Sequence, residues 1–156
     1  MAEQSAGILL YRLTGPEPEV LLVHPGGPFW AKKDDGAWSI PKGLYGPGEE
    51  PLAAAQREFA EETGLVPSGD FVSLGGFRQP SGKTVIAYAV AGDFELAGFR
   101  SNLFEMEWPP RSGRRQSFPE ADRAGWFTLA EARRKLTRGQ VPIVEALSKQ
   151  LGADAV

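Results

Sequence analysis

The chain contains no cysteine and only one histidine, His24, among its 156 residues. The absence of cysteine excludes disulfides, thiol nucleophiles and thiolate zinc sites. A single histidine argues against a histidine-based metal centre, because such centres normally combine several imidazoles or an imidazole with thiolates. Any catalytic site in this chain is therefore expected to work without thiol or histidine–zinc chemistry.

The chain also lacks a long apolar run and an excess of basic charge. No run approaches the ~20 residues that a membrane-spanning helix needs, and residues 1–13 lack the basic start of a signal peptide. We expect no membrane contact and a cytoplasmic location. The 17 basic and 20 acidic side chains leave a net charge of -3, which gives no sign of a nucleic-acid-binding surface. An anionic ligand therefore needs a local basic site or a metal ion.

The composition, 42% hydrophobic and 24% charged, is typical of a globular protein, and the length fits one domain over residues 1–156. Short apolar segments predict strands at residues 5–11, 19–23, 37–40, 71–77, 84–90, 94–96 and 104–108. Helices are predicted from Pro51 to Gly64, after the Thr128–Glu131 capping box, and from Pro142 onward. Residues 43–48 and 109–119 are predicted to be loops. Strands mixed with a few helices indicate an α+β or layered α/β/α domain.

Three carboxylates share one face of the first predicted helix. Glu58, Glu61 and Glu62 lie at positions i, i+3 and i+4, and about 100° of rotation per residue brings them together. The opposite stripe is apolar and consists of Leu52, Ala55 and Phe59. Carboxylates at this spacing repel one another, and Mg²⁺, which prefers oxygen ligands, would relieve that repulsion. Taken alone, the spacing also fits an ordinary solvated acidic surface.

The residues around the triad form a longer pattern. It reads Gly43, five residues, Glu49, seven residues, and then Arg57-Glu58-Phe59-Ala60-Glu61-Glu62-Thr63-Gly64-Leu65. This resembles the Nudix box, in which G, E, REU, EE and GU occur at these spacings and U is a bulky apolar residue. Every fixed position matches over 23 of the 156 residues. The one mild departure is Phe59, where the family more often has an aliphatic side chain.

The resemblance implies a fold, a reaction and a metal. Nudix proteins are α/β/α sandwiches with a mixed β-sheet between helices, and the enzymes among them cleave phosphoanhydride bonds with Mg²⁺, for which Mn²⁺ may substitute. By resemblance, Glu58, Glu61 and Glu62 are metal ligands, and Gly43 offers its backbone carbonyl to the metal. The identity of the general base varies across the family and stays open here.

Two further groups are assigned by the same resemblance. Arg57 belongs to the catalytic constellation as a support, and it is expected to pair with Glu49. Some family members carry a Glu six residues before a Trp, a spacing that Glu120 and Trp126 reproduce. Glu120 is therefore expected to contact the metal or the attacking water, although a solvated loop carboxylate also fits. The weaker alternatives are Glu105 and Glu107.

The substrate is less sharply indicated. Residues 38–43 resemble the W-x-x-P-K-G entry to the box that is common in members acting on dinucleoside polyphosphates or diphosphoinositol phosphates. Pro80, 15 residues after the box, instead resembles a marker of ADP-ribose-cleaving members, whose fuller context is missing. Tyr88 lies too far along to be the tyrosine of many dinucleoside polyphosphate hydrolases. Dinucleoside polyphosphates are the favoured class. The alternative substrates are ADP-ribose or a nucleotide sugar, and a (d)NTP. The alternative function is a non-catalytic module that senses a nucleotide.

Several side chains outside the box are candidates for substrate binding. Lys42 precedes the metal loop and is expected to contact a phosphate as a point charge. Lys83 and Arg111 are candidates for further phosphates, and the same possibility extends to Arg78, Arg114 and Arg115. Trp30, like Phe29, is a candidate for stacking on a base. For each of these residues, an ordinary surface or packing role is the alternative.

Overall fold

A mixed β-sheet forms the centre of the computed structural model, which describes residues 4–154. The strands in this range are β1 (Gln4–Arg12), β2 (Glu19–Pro25), β3 (Lys42–Leu44), β4 (Val72–Arg78), β5 (Thr84–Ala91), β6 (Leu103–Glu107), β7 (Arg115–Pro119) and β8 (Ala121–Thr128). The main sheet has the order β4-β5-β1-β2-β8, and β3 also pairs with β1. β1 runs parallel to β5, from Gln4 opposite Thr84 to Tyr11 opposite Ala91, and the other pairs are antiparallel. β6 and β7 form a separate hairpin.

Helices cover both faces of the main sheet. They are α1 (Pro51–Thr63), α2 (Leu129–Lys135) and α3 (Val141–Asp154). Successive side chains of a strand point to opposite faces, so Ile8 and Leu10 of β1 pack in the cluster with Phe59 of α1, whereas Leu9 packs in the cluster with Leu147 of α3. The predicted α+β sandwich, with a mixed sheet between helices, is therefore confirmed. No helix within residues 4–154 combines the length and the apolarity needed to span a bilayer.

The predicted boundaries of α1 are confirmed. The helix begins at Pro51, where the missing N–H of proline costs no helical hydrogen bond. It ends at Gly64, whose φ of 74° is left-handed and whose N–H donates to the carbonyl of Ala60 at 2.8 Å. Phe59 is completely buried, so the aromatic departure from the family pattern is accommodated within the core.

Four predicted segments differ from the structure. The strand expected at 94–96 is wrong, because residues 96–98 form a 3₁₀ turn. The segment 37–40 forms only isolated bridges beside Pro41, since proline cannot continue a ladder. Residues 43–44 and 115–119, predicted to lie in loops, belong to β3 and β7. Both strands are short and largely open to solvent, so neither shows the apolar pattern that identifies a buried strand.

The single histidine has a structural place. His24 on β2 is fully buried, its Nδ1 lies 2.8 Å from Asp122 Oδ1, and its Nε2 lies 2.6 Å from the carbonyl oxygen of Lys33. Its ring also meets Trp38 edge-on at 5.3 Å between centroids. His24 thus ties β2 to β8 and to the long loop between β2 and β3.

We predict that His24→Leu lowers the free energy of unfolding by about 1–3 kcal/mol, because it removes both hydrogen bonds of a fully buried side chain. Urea denaturation at neutral pH measures the change. Lys33→Ala is the control, since it keeps the accepting backbone carbonyl and should alter stability little. Equal stability of His24→Leu and the wild type would contradict the prediction.

Candidate active site

The acidic face of α1 lies against β3. Glu58 is 9% exposed, and a Cβ built on Gly43 would overlap its carboxylate. Only glycine therefore allows β3 to approach the helix this closely. The structure brings together the glycine that opens the box and the first glutamate of the triad, 15 residues further along the chain.

Arg57 connects the loop before α1 to the acidic face. Its Nε and Nη2 donate to the two oxygens of Glu49 at 2.8 and 2.9 Å, which is the bidentate geometry that favours arginine. Its Nη1 donates to Glu58 Oε1 at 2.7 Å and lies 3.3 Å from Glu61. The predicted pair of Glu49 and Arg57 is thus present. These hydrogen bonds raise the pKa of Arg57 and lower the pKa of Glu49.

Glu62 is held by the backbone of β3. Its Oε2 accepts a hydrogen bond from the N–H of Lys42 at 2.7 Å. Burial raises the pKa of Glu62 to about 8, with smaller contributions from Glu58 and Glu120, and burial is also the main cause that raises the pKa of Glu58. The same desolvation lowers the pKa of the Lys42 ammonium. The protein thus places these groups where water stabilises their charged forms poorly.

Glu120 faces the triad from the connection between β7 and β8. Burial raises the pKa of its carboxyl, and the negative charges of Glu58 and Glu61 raise it further. Its backbone is fixed, because Glu120 N–H donates to Asn102 O at 2.8 Å and its carbonyl accepts from Gly26 N–H at 3.0 Å. No group within residues 4–154 donates a hydrogen bond to the Glu120 carboxylate.

The two alternative carboxylates are engaged within the β6–β7 hairpin. Glu105 lies 3.8 Å from Arg115, and Glu107 accepts from the backbone N–H of Arg111 at 2.9 Å. Neither lines the cleft beside Glu120. Of the three carboxylates considered outside the box, Glu120 is the one that the structure places against the triad.

The donor set fits a divalent cation. Glu58, Glu61, Glu62, Glu120 and the carbonyl of Gly43 offer only oxygen, the ligand that Mg²⁺ prefers. A cation would relieve the mutual repulsion of the carboxylates. Gly43 has no side chain, so the space beside the Glu58 carboxylate is not filled from position 43. In the described part of the chain, however, no three acidic or histidine side chains converge closely enough to hold a metal by themselves.

A cleft of about 610 Å³ opens beside these carboxylates, within the range of small-molecule sites. Glu62 and Glu120 line it together with Lys42, Lys83 and Trp30, so three of the four residues predicted to bind substrate are brought together. The two ammonium groups are close enough for Lys83 to lower the pKa of Lys42. Cations and carboxylates therefore share one cleft.

Two predicted candidates lie elsewhere. Arg111, with a φ of 61°, sits in the turn between β6 and β7 and is not part of the cleft lining. Phe29 packs edge-on against Trp108 at 5.4 Å between ring centroids. The hairpin thus contacts the loop that carries Trp30.

One wall of the cleft was predicted only in part from the sequence. Besides Pro80 and Lys83, it is formed by Gln79 and Ser81 of the β4–β5 turn and by residues 137–140 ahead of α3. Gln140 is buried there, its Oε1 accepts from Ile40 N–H at 2.9 Å, and its Nε2 donates to Ser39 Oγ at 2.9 Å. These bonds fix the segment that leads into β3. Residues in short turns show no hydrophobic periodicity, and the hydrogen bond between Ile40 and Gln140 joins positions 100 residues apart. No local sequence signal therefore identifies the residues of this wall.

Comparison with known proteins gives a consistent assignment. A model of the NUDIX domain matches residues 1–147. Nudix hydrolase 7 of Arabidopsis thaliana is 29% identical over 101 residues, which are 59% of this chain and 34% of that protein, so the chain spans about a third of that relative.

The solved structures with a similar fold include the two described next. The NUDIX domain of Shewanella oneidensis NrtR, complexed with ADP ribose, superposes with a TM-score of 0.68 at 18% identity and covers 97% of this chain and 89% of that one. A C. elegans Ap4A hydrolase binary complex gives a TM-score of 0.65 at 18% identity, and the match covers 96% of this chain and 98% of that one. At such identities the likeness is one of fold.

We predict opposite effects on stability for two kinds of box glutamate. Glu49→Gln should lower the melting temperature, because it breaks the bidentate pair with Arg57. Glu62→Gln should keep or raise it, because it replaces a carboxyl whose charged form burial disfavours with a neutral amide of nearly the same shape. Thermal melts at neutral pH without divalent cations measure both. A larger loss for Glu62→Gln than for Glu49→Gln would contradict these assignments.

Proposed function

Because the chain belongs to the NUDIX domain family, we propose that it is a metal-dependent hydrolase that cleaves a phosphoanhydride bond in a nucleoside diphosphate-linked substrate. The observation that carries this proposal is the arrangement of the cleft. Glu62 and Glu120 line it beside Lys42 and Lys83. Lysines suited to binding phosphate oxygens therefore lie next to carboxylates suited to binding a cation. A sensing module that has lost catalysis typically loses box carboxylates, whereas this chain keeps all of them.

We propose that Glu58, Glu61, Glu62 and Glu120, with the Gly43 carbonyl, hold Mg²⁺, for which Mn²⁺ can substitute. When bound, the cation neutralises phosphate oxygens and lowers the pKa of water. Arg57 keeps Glu58 in place through its 2.7 Å hydrogen bond.

The remaining steps are assigned to side chains of the cleft. Lys42 and Lys83 bind phosphate oxygens and orient the anhydride. Glu120, whose carboxylate accepts no hydrogen bond within residues 4–154 and whose pKa is raised, accepts the proton of the attacking water. The water oxygen then forms a bond to phosphorus, the bridging P–O bond breaks, and the leaving phosphate departs.

Dinucleoside polyphosphates are the proposed substrate class. The Trp38–Gly43 entry to the box supports this choice, as does the similar fold of an Ap4A hydrolase. ADP-ribose is the second candidate, because the NrtR domain of similar fold is complexed with it and because Pro80 lines the cleft. A panel of diadenosine polyphosphates, ADP-ribose, nucleotide sugars and (d)NTPs, with products identified by mass spectrometry, distinguishes these classes.

We predict that activity requires Mg²⁺ or Mn²⁺ and that Glu58→Gln and Glu62→Gln each lower kcat by about 10²–10⁴, because each removes a charge that supports transition-state stabilisation. Steady-state kinetics on the best substrate of the panel, with and without excess EDTA, measure both effects. Glu145→Gln is the matched control, since Glu145 pairs with Arg133 at 2.7 Å away from the cleft. Full turnover in EDTA, or near-normal kcat in folded variants, would refute the proposal.

We further predict that Lys42→Ala and Lys83→Ala raise KM more for long polyphosphates than for short ones, because they remove positive charge from the cleft. We also propose that Arg111, in the β6–β7 turn, contacts those phosphates of a long substrate that extend beyond the cleft. Arg111→Ala should then affect only the longest substrates. KM values across a series of increasing phosphate number test both statements, and equal effects on all members would show ordinary surface charges.

A further inference from the structure

The side chain of Gln79 is fixed in one orientation at the wall of the cleft. Its Nε2 donates to the carbonyl of Phe77 at 3.0 Å and to the carbonyl of Gly139 at 2.9 Å. A flipped amide would place Oε1 against two other acceptors, so the network determines which end of the amide is which. The backbone around it is also fixed, because Gln79 N–H donates to Lys83 O at 2.7 Å.

The opposite end of the same amide is available to a ligand. No group within residues 4–154 donates to Gln79 Oε1. In the same residues, every buried side-chain nitrogen or oxygen has a hydrogen-bond partner, so this partnerless oxygen must be reachable by solvent. Since Gln79 lines the cleft, Oε1 is an oriented acceptor without a donor from the described part of the chain.

Gly139 keeps that oxygen accessible. A Cβ at this position would overlap Gln79 Oε1 and would lie 2.8 Å from Pro80 Cδ. The bare backbone of Gly139 thus leaves room beside the amide and beside the proline ring. Pro80 supplies apolar surface beside Gly139, and Val85 and Trp30 also line the cleft. A cleft that combines an oriented acceptor with apolar and aromatic lining suits the edge and faces of a nucleobase.

We propose that Gln79 Oε1 accepts a hydrogen bond from the exocyclic amino group of the substrate's nucleobase and selects amino-bearing bases over their carbonyl counterparts. The inference rests on the proposed function, since it assigns the nucleoside part of the same substrate. A base with a carbonyl at that position would place two acceptors face to face and leave Oε1 without a donor. Such a mismatch discriminates against the wrong ligand.

The test uses nucleoside monophosphates, which contain no anhydride bond, so that binding is measured whether or not the protein is a hydrolase. Calorimetry with the wild-type chain and Mg²⁺ compares AMP with IMP and CMP with UMP. We expect the amino member of at least one pair to bind about tenfold more tightly, the scale of one well-placed hydrogen bond. Gln79→Met, of similar length without the acceptor, should reduce that preference to about twofold or less.

Two further variants control for general damage. Gln116→Met is the matched control, because the Gln116 amide also donates to a backbone carbonyl, that of Trp108 at 3.0 Å, but lies outside the cleft. It should leave the preference unchanged. Gly139→Ala covers Oε1 without removing the amide and should reduce the preference as Gln79→Met does. Melting temperatures confirm that each variant is folded.

Three results would overturn the assignment. The first is equal binding within both base pairs by the wild type. The second is a preference that persists in folded Gln79→Met. The third is a loss of affinity for dAMP relative to AMP that disappears in Gln79→Met, which would assign the acceptor to the ribose hydroxyl. Hydrolysis without base selectivity would leave the proposed function standing, whereas selective binding without hydrolysis would support the role of Gln79 and refute the enzyme.

Discussion

The crowding of carboxylates on one face of α1 is the constraint around which the rest of the site is arranged. Glu58, Glu61 and Glu62 would repel one another on an isolated helix, and burial against β3 makes the charges of Glu58 and Glu62 more costly still. Arg57 offsets part of this cost by contacting Glu49, Glu58 and Glu61 together. The hydrophobic contacts of Phe59 on the opposite side of the helix supply the stability that the acidic face lacks.

Burial also disfavours the charged forms of side chains that line the cleft. The carboxyl pKa values of Glu62 and Glu120 are raised by burial, and the pKa of Lys42 is lowered by it. The surroundings therefore disfavour the charged form of each group, as is common in sites that bind charged ligands. A substrate bearing phosphates and a cation would complete the balance of charge. We therefore expect the proposed cation and substrate to stabilise the protein when they bind.

The sequence predicted best what depends on neighbouring residues. The limits of α1, the pairing of Glu49 with Arg57 and the alternation of Ile8, Leu9 and Leu10 follow from spacings of a few residues, where periodicity and capping are informative. The strands β3 and β7 and the wall formed by residues 137–140 were missed. They depend on contacts between distant segments and have no buried stripe of their own. The roles of the catalytic and substrate-binding residues stay predictions.

The wide separation of the cleft's walls along the chain has a consequence for cooperativity. Lys42, Gln79 and Gln140 come from three distant segments, which are joined through the sheet and through hydrogen bonds such as that from Gln140 to Ile40. No short fragment contains the cleft, so its formation is coupled to the folding of nearly the whole chain. A molecule that binds there must favour the native state as a whole by mass action. Amide hydrogens far from the ligand, including those of the parallel β1–β5 ladder, would consequently exchange more slowly wherever their exchange requires global unfolding.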